Sequence, residues 1–368
     1  MKIWGKIAAG TLSLAVSVAA LGLWAVRGFG VEKTGSPARL DGIADRFQMH
    51  ADHALADAAS GVMAIPKRYW IARDALRAPE PDPACYGEAS EPEELQKLLD
   101  RAESVLEGQE LYFTAQTELL PGTSVHYYLD ETILAITWKQ AMDESVYTFS
   151  EVKIMHPSQF RRFLAGGAYG TGEQHTTTQM ARSVNAVVAS SGDFYAYRLA
   201  GIIVYDGLVR RTHNGIADTC YVDENGDLCI TSAQERMDRE AAQAYVDRNR
   251  IQFSLAFGPT LVRQGQACTP GEYGLGQIND CYPRAALCQM DRLHYLLATV
   301  NTEDGYPRTP TIHGFAQRIQ QTGCRTAYAL DGGQTAALAM DGELVNAVMY
   351  GSQRAISDIV YFATALPR

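Results

Sequence analysis

Two aspartates in this chain stand where a carboxylate could do chemistry. Asp193 follows an apolar run and Gly192, and Asp331 follows an apolar run and precedes Gly332 and Gly333. This arrangement predicts a carboxylate at the end of a strand, where glycine lets a ligand approach the backbone closely. Two carboxylates in unlike environments can divide general-acid work from base or nucleophile work.

Two arginines could supply anion binding beside these carboxylates. Arg284 precedes the apolar residues 285–287, which predicts a partly enclosed guanidinium, and Arg354 lies near the C-terminus. A guanidinium binds phosphate through paired hydrogen bonds. Structural roles are the alternative, since Arg284 could pair with a surface acid and Arg354 could tie strands together. Asp-Gly is likewise an ordinary turn dipeptide, with further copies at Asp206, Asp304 and Asp341.

From about Leu111 onward, the residue pattern predicts short strands with occasional helices, and these elements must position the candidate residues. The pattern therefore predicts an α+β fold with a mixed β-sheet and packed helices, in contrast to a doubly wound nucleotide fold. We expect strands over 124–138, 145–155 and 184–189, helices over 157–164 and 176–183, and a hairpin over 201–207.

The N-terminal third differs in character. Residues 7–26 carry no charge, follow Lys2 and Lys6, and are long enough to span a bilayer as a helix. We expect an uncleaved signal anchor over 1–30, with the rest of the chain outside the cytoplasm by the positive-inside rule; secretion after signal cleavage is the alternative. Residues 31–108 should form a helical membrane-proximal region, ending in a helix that Ser90 and Glu93 cap and Gly108 terminates. A third domain, which carries the candidate catalytic residues, would cover 109–368.

Seven cysteines are compatible with export to an oxidising compartment. A four-residue turn over 223–226 would set Cys220 opposite Cys229, close enough to form a disulfide. Cys268 and Cys281 bracket a glycine-rich loop that a second disulfide could close. Asp223, Asn225 and Asp227 resemble half of a calcium loop, but without the distal Glu a plain turn is the better interpretation.

Charge and motif content exclude several functional classes. The formal net charge is -10 with no basic run, so we expect no nucleic-acid partner. Residues 271–276 lack the context and spacing of a dinucleotide site, and no cofactor is expected. His50 and His53 lack a third ligand, so we expect a solvated helix face and no metal site.

Several segments, in one order along the chain, resemble the phosphodiester glycosidase family. They cover roughly residue 124 to the C-terminus: Ala186-Val-Val-Ala-Ser-Ser-Gly-Asp-Phe-Tyr195, Gly201-Ile-Ile-Val-Tyr-Asp-Gly207, Phe257-Gly-Pro-Thr-Leu-Val262, Pro283-Arg-Ala-Ala286, Leu330-Asp-Gly-Gly333, then Gly342, Asn346 and Arg354. Three positions depart from the family pattern, because Ser191 replaces Asn, Ala285 replaces Thr, and Gln334-Thr335 replaces Gly-Ser. These changes could alter substrate choice or mark loss of activity.

The resemblance implies an extracytoplasmic glycosidase that cleaves the bond between a sugar and phosphate in an N-acetylglucosamine-1-phosphodiester-like substrate of an envelope exopolysaccharide or glycan. It implies catalytic roles for Asp193, Asp331 and Arg284. We expect substrate contacts from Gly192, Phe194, Tyr195, Gly332, Gly333, Thr335 and Arg354, and from His175, whose place beside Glu173 in a glycine-rich segment would suit an acid-base group. Phe194 and Tyr195 could instead be core residues, and His175, beside Glu173, a loop histidine.

Two other functions remain open from the sequence. One is a non-catalytic envelope carbohydrate-binding protein that keeps the fold and is involved in exopolysaccharide metabolism. The other is a metal-dependent phosphodiesterase that cleaves the P–O bond, against which the absence of ligand-like histidine spacing counts.

Overall fold

The computed structural model describes residues 77–193, 195–213, 217–269 and 280–366. The chain divides into two units, Met1–Ile65 and Pro66–Arg368, and all described residues belong to the second. The predicted anchor, most of the predicted membrane-proximal region, His50, His53 and Phe194 lie outside the described residues. No helix in the described ranges is long and apolar enough to cross a membrane.

Four α-helices and nineteen β-strands make up the described part of the chain. The helices are α1 (Pro92–Leu106), α2 (Thr177–Ser183), α3 (Arg239–Arg248) and α4 (Ile312–Gln320). The first ten strands are β1 (Tyr86–Ala89), β2 (Val125–Leu129), β3 (Ile133–Met142), β4 (Ser145–Ile154), β5 (Phe160–Leu164), β6 (Val188–Ser191), β7 (Gly201–Tyr205), β8 (Leu208–His213), β9 (Thr219–Asp223) and β10 (Leu228–Thr231). The others are β11 (Ile251–Leu255), β12 (Thr260–Arg263), β13 (Gln266–Ala267), β14 (Arg284–Asp291), β15 (His294–Asn301), β16 (Thr326–Leu330), β17 (Leu338–Met340), β18 (Glu343–Leu344) and β19 (Asp358–Phe362).

The strands form two large sheets and two small ones. The nine-stranded sheet has the order β1-β2-β3-β4-β15-β14-β16-β12-β13, and the five-stranded sheet has the order β18-β17-β6-β19-β5. The small sheets are β10-β9-β11 and β7-β8. The α+β class is confirmed. Every pair of neighbouring strands is antiparallel among the described residues, which differs from the mixed sheet that was expected, because few helices are available to make parallel crossovers.

The nine-stranded sheet buries both of its faces. On one face, α1 and α4 pack with Trp138 and Phe149 in one hydrophobic cluster. The apolar residues of α1 recur at three- and four-residue spacing, which places Leu95, Leu98, Ala102 and Val105 on a single stripe. The other face packs against the five-stranded sheet, with residues such as Leu330 and Val360 in a shared cluster. The ends of the two sheets therefore meet.

The segment before residue 109 is part of this architecture. Strand β1 pairs with β2, with Tyr86 opposite Tyr128. The predicted helix is present as α1, but its N-cap is Glu91 and makes no side-chain capping bond, so the predicted Ser90 cap is wrong. At the other end, residue 107 and Gly108 have positive φ, as expected for a helix terminus.

The predicted helix over 157–164 is also wrong. Only Pro157–Gln159 form a short 3₁₀ turn, capped by His156, and Phe160–Leu164 are strand β5. Pro at the first position and a capping side chain are local helix signals, but pairing with β19 and stacking of Phe160 on Phe362 outweigh them. In contrast, the helix predicted over 176–183 is confirmed as α2.

Neither predicted disulfide is present. In the β9–β10 hairpin Val222 pairs with Leu228, so the loop has five residues and Cys220 lies opposite Ile230. A slip of one residue moves a side chain to the other face of a strand, and Cys220 and Cys229 are therefore thiols. Cys281 is an exposed thiol, so the predicted bond to Cys268 is absent.

Candidate active site

Asp193 lies at the end of β6 and is fully enclosed by hydrogen-bond donors. One carboxylate oxygen accepts from Arg162 Nη2 at 2.7 Å and from the amide of Tyr195 at 2.9 Å. The other accepts from the amide of Ala256 at 2.7 Å. The side chains of Asp193 and Arg162 are both 0% exposed. The predicted catalytic carboxylate at this position thus has no open side that faces a cleft.

Arg162 binds a second buried carboxylate, that of Asp358. Arg162 Nε donates to Asp358 Oδ2 at 2.9 Å, and its Nη1 donates to the carbonyl of Ser254. The same Asp358 oxygen accepts from the Asp193 amide at 3.1 Å. Burial raises the pKa of Asp358 well above its usual range, and the neighbouring Asp193 carboxylate adds to the shift, whereas Arg162 opposes it. We call Asp193, Arg162 and Asp358 the buried triad.

Gly192 is needed for the buried triad to form. A Cβ atom at this position would overlap the Asp358 carboxylate. Its carbonyl accepts from the Asp331 amide at 3.0 Å, and its own amide donates to the Asp358 carbonyl at 3.0 Å. Gly192 therefore connects the triad in the five-stranded sheet to Asp331 at the end of β16 in the nine-stranded sheet.

Asp331 has a different environment. It is half-buried and directly follows β16. Burial raises its pKa to about 6, with a smaller contribution from Asp193, whereas the Thr335 hydroxyl and the Arg354 guanidinium counteract the shift. A carboxyl group that is partly accessible and titrates near neutral pH suits proton transfer or charge stabilisation.

Three arginines lie around Asp331. Arg354 is exposed and close enough to affect the Asp331 carboxyl electrostatically. Arg198 also interacts with Asp331, and its Nη1 donates to the carbonyl of Phe257 at 3.1 Å. Arg284 begins β14, and the strand register places it one position beyond the pair Ala285 and Leu330, so it lies level with Asp331.

The guanidinium of Arg284 is partly enclosed, as its sequence predicts. Its Nη2 donates to the carbonyl of Asp280 at 2.8 Å, and its Cζ lies 5.7 Å from the ring centre of Tyr282. The buried Nε has no hydrogen-bond partner among the described residues. Desolvation lowers the pKa of both Arg284 and Arg198, but a guanidinium remains charged in proteins. The guanidinium of Arg284 is thus held by one backbone carbonyl and one aromatic ring, with its Nε enclosed.

The loop after Asp331 is shaped by backbone contacts. The amide of Gly333 donates to the carbonyl of Pro283 at 2.8 Å. A Cβ at Gly332 would lie 2.7 Å from that same oxygen, so a side chain there would push the two loops apart. Thr335 is buried, and its hydroxyl donates to the Gly332 carbonyl at 2.7 Å. These predicted substrate-contact residues surround Asp331, where they hold its loop against Arg284.

Two other predicted contacts lie apart from Asp331. Tyr195 is 4% exposed, stacks on Tyr169 and packs beside Arg162, so it is a core aromatic and does not form a wall of the cleft. His175 is exposed, and its Nε2 lies 3.3 Å from Glu173 Oε2. Its backbone pairs with Ile356. This position is that of a loop histidine held beside the segment that leads to Arg354.

The positions that depart from the family pattern differ in burial and in what their side chains contact. Ala285 is 1% exposed and packs with Leu330 in the core, so the change there alters packing and leaves the cleft surface untouched. Ser191 is buried, and its hydroxyl donates to the Asp331 carbonyl at 3.2 Å. Gln334 donates from Nε2 to the Ser352 carbonyl at 3.2 Å. Each replacement keeps the Asp331 loop in place.

Sequence reasoning missed Arg162, Asp358 and Arg198. Arg162 stands in a segment that carries a local helix signal, so its place in a strand is hidden, and Asp358 lies in a strand that pairs with it. An Arg in an otherwise apolar strand is the one signal that could have indicated a buried ion pair. Arg198 follows Tyr197 in a loop without regular structure, and only the tertiary structure brings it to Asp331.

Two further features do not compete with this site. Among the described residues no group of three or more His, Cys, Asp or Glu could hold a metal ion. An open groove of about 630 Å³ is lined by residues that include Tyr86, His126, Lys139 and Asp341. None of the residues around Asp331 lines this groove, and its cation Lys139 is paired with Glu303 at 2.9 Å.

One curated protein and two solved structures are similar to parts of this chain. The SPbeta prophage-derived uncharacterized protein YomE of Bacillus subtilis (strain 168) is 23% identical over 256 residues, 67% of this chain and 38% of that protein. The chain therefore spans less than two fifths of that relative. The catalytic domain of zebrafish N-acetylglucosamine-1-phosphodiester alpha-N-acetylglucosaminidase, auto-inhibited by its pro-peptide, superposes with a TM-score of 0.49 at 17% identity, covering 63% of this chain and 82% of that one. A hypothetical protein from Synechocystis gives 0.46 at 15% identity, covering 67% and 64%.

The family assignment itself rests on the sequence profile of the C-terminal half. The matched residues, 184–363, include the whole loop of Gly192, the strand that ends in Asp331 and the segment of Arg354. Residues 184–363 of this chain match the family model of the phosphodiester glycosidases.

Proposed function

We propose that this protein is an extracytoplasmic glycoside hydrolase that cleaves the bond between the anomeric carbon of a sugar and phosphate. Its substrate would be a glycosyl phosphodiester, such as an N-acetylglucosamine 1-phosphodiester, in an envelope polysaccharide or glycan. The observation that carries the proposal is the half-buried Asp331, whose pKa is about 6: the charges of Arg198 and Arg354 act on it, and Arg284 lies level with it on the neighbouring strand. The family of residues 184–363 supports it.

The arginines fit the leaving group of this reaction. Cleavage at the anomeric carbon passes through an oxocarbenium-like transition state. The C–O bond breaks with its electron pair moving to the phosphate oxygen, where negative charge develops. Guanidinium donors stabilise that charge through charge-assisted hydrogen bonds, and the exposed Arg354 lies close enough to Asp331 to act on its charge.

Asp331 fits the sugar side of the bond. A phosphate is already a weak base when it leaves, so the site needs little protonation of it. An ionised carboxylate near the anomeric carbon stabilises the positive charge that develops there, or takes the proton of the attacking water. Water supplies its oxygen to the sugar, and the products are a reducing sugar and a phosphomonoester.

The extracytoplasmic location is part of the proposal and rests on residues outside the described ranges. The uncharged run 7–26 after Lys2 and Lys6 supports a membrane anchor with the domain on the outer side. A glycan substrate of the cell envelope would be accessible there. Protease protection of the domain in intact and permeabilised cells would test the orientation.

Isotope labelling distinguishes the proposed reaction from its rivals. The full-length protein is incubated in ¹⁸O-water with the methyl phosphodiester of α-N-acetylglucosamine 1-phosphate. We expect ¹⁸O in the released sugar and unlabelled methyl phosphate. Label in the phosphate would instead show P–O cleavage and would contradict the proposal, and loss of turnover with a chelator would point to the metal-dependent phosphodiesterase.

One observation favours a second function, that of a non-catalytic envelope carbohydrate-binding protein. Asp193 is fully occupied by Arg162 and two amides, so the site offers a single accessible carboxylate of the predicted pair. Saturable binding of glycosyl phosphodiesters without any product, measured by calorimetry, would support this function over hydrolysis.

A further inference from the structure

Exposed large hydrophobic side chains in the described part of the chain are concentrated around one site. They are Tyr197 (46% exposed), Leu199 (66%), Tyr282 (38%) and Tyr350 (79%). Single exposed apolar residues are normal on a protein surface, but a grouped set marks an interaction site. Each of these residues lies within four positions of one of the three arginines around Asp331.

Tyr197 and Leu199 flank Arg198, whose charge acts on Asp331. The guanidinium of Arg198 is fixed over the Phe257 ring, 5.1 Å from its centre. The two exposed side chains therefore project from a backbone segment that is anchored directly beside the site.

Tyr282 and Tyr350 belong to the other loops that border Asp331. Tyr282 lies under Arg284. Tyr350 lies in the short turn Met349–Gly351, which packs against the turn Gly333–Thr335 that follows Asp331. The four side chains thus come from three separate segments that meet around one carboxylate.

Tyr350 also has an unfavourable backbone conformation. Its φ is 63°, in the left-handed region that is unfavourable for any residue with a Cβ atom. A side chain that is 79% exposed gains almost nothing from burial in return. Glycine would fit this position better for stability, so the presence of a tyrosine calls for a role outside folding.

We propose that Tyr197, Leu199, Tyr282 and Tyr350 form an aromatic rim that binds sugar units of the substrate beyond the cleaved bond. This inference rests on the proposed function and names the substrate class: an oligomeric or polymeric glycan that carries glycosyl phosphate linkages. The apolar C–H face of a pyranose packs on a flat aromatic ring, and a tyrosine adds a hydroxyl group for hydrogen bonding. Arginines close to the rim residues could bind the phosphates between the sugars.

The composition of the rim favours sugar over a lipid chain as the occupant. Three of its four members are tyrosines, and a single member is aliphatic. Charged residues accompany them, since Arg284 lies over the Tyr282 ring and Arg198 stands between Tyr197 and Leu199 in the chain. An acyl or polyprenyl chain would need a continuous aliphatic groove, because burial of its methylene groups supplies its binding energy.

The test compares two substrates that share the same scissile bond. One is the methyl phosphodiester of α-N-acetylglucosamine 1-phosphate, and the other is a short oligomer of the same glycosyl phosphate unit. For Tyr350→Gly and Tyr197→Ala in the full-length protein, we expect the ratio of kcat/KM for oligomer over methyl diester to fall by about 2- to 10-fold each. Thermal unfolding should show Tyr350→Gly to be as stable as the parent or more stable.

The control is Tyr127→Ala, which truncates a half-buried tyrosine of β2 that lines the open groove and not the surroundings of Asp331. It should leave the ratio unchanged. An unchanged ratio in the rim variants would overturn the rim proposal while leaving hydrolysis of the methyl diester intact. A selective loss on a polyprenyl phosphodiester instead of the oligomer would overturn it in favour of a lipid.

Binding keeps the rim testable if hydrolysis itself is absent. Affinity of the oligomer for Asp331→Asn is measured by calorimetry, with and without Tyr350→Gly. A weaker affinity by about 2- to 10-fold in the double variant supports the rim even if the proposed hydrolysis fails. Equal affinities contradict the rim whatever the outcome for activity.

Discussion

The buried triad and the site around Asp331 contain aspartates with nearly the same local sequence pattern, but the two carboxylates have different environments and different roles. Asp193 and Asp331 each follow an apolar run and stand next to glycine. The first is sealed by Arg162 and two backbone amides and has no exposed side-chain surface. The second is half-buried, has a pKa near 6 and faces arginines.

The comparison shows that hydrogen-bond partners decide what a carboxylate does. Three donors within 3 Å satisfy Asp193, so its charge serves to hold β5, β6 and the Ala256 loop together. Asp331 keeps a side toward solvent. An aspartate beside glycine at a strand end is therefore a candidate for chemistry only when the fold leaves its oxygens accessible.

The largest effect expected is that of Asp331→Asn on activity. If Asp331 works as an ionised carboxylate, its amide variant should lower kcat/KM for the methyl diester by about 10²- to 10⁴-fold. Its stability to urea should be equal or greater, because burial disfavours the charge that the substitution removes. Product release and urea unfolding measure the two quantities.

A matched control is Asp304→Asn, which changes the exposed Asp-Gly turn at residues 304–305. It should leave kcat/KM within error. Comparable activity in Asp331→Asn and the control would show that Asp331 takes no part in the reaction. It would also contradict the functional difference between Asp331 and Asp193.

Arg162→Met should affect folding instead of the reaction. Removal of the cation leaves two buried carboxylates, Asp193 and Asp358, without their shared partner. Loss of one partner of a buried ion pair typically costs about 3–5 kcal/mol. Urea unfolding monitored by fluorescence should show this loss, and Arg162→Lys should not restore it because an ammonium group cannot reproduce the forked contacts. Wild-type stability in either variant would contradict the structural role of the triad.

Arg284→Met should show the reverse pattern. A charge-assisted hydrogen bond to phosphate contributes about 1.5–3 kcal/mol, so we expect kcat/KM to fall by about 10- to 100-fold. Stability should change little, since Arg284 binds one backbone carbonyl and its Nε has no partner among the described residues. A large shift in the unfolding midpoint with normal activity would show that Arg284 has a structural role, like the residues of the buried triad.

The smallest effect expected is a change with pH. The pKa of Asp331 is about 6 in the folded state, above its ordinary value of 3.8, so its ionisation costs stability as pH rises from about 3.8 to 6. Because the ionised form is the active one in this mechanism, kcat/KM should rise through about pH 6. Asp331→Asn should remove this step from the urea stability profile. A rate that falls above pH 6 would assign a general-acid role to Asp331.

Local sequence patterns predicted some elements and missed others. Helices α1 and α2 lie where the residue pattern predicts them, whereas the roles of Asp331, Arg284 and Arg354 stay predictions. The helix expected over 157–164 is a strand because its pairing with β19 and its core contacts are non-local. The Cys220–Cys229 pairing fails because one extra loop residue shifts the hairpin register, a difference too small for a turn pattern to specify.

By themselves, the residues determined the α+β class and the resemblance to the phosphodiester glycosidases, because periodicity, glycine positions and motif order are local properties of the chain. The tertiary structure alone decided which aspartate is sealed and which is accessible. That choice depends on Arg162, Ala256 and Asp358, which are distant in sequence and reach Asp193 only when the strands pair. Burial and the count of donors around a carboxylate are properties of the packed sheets.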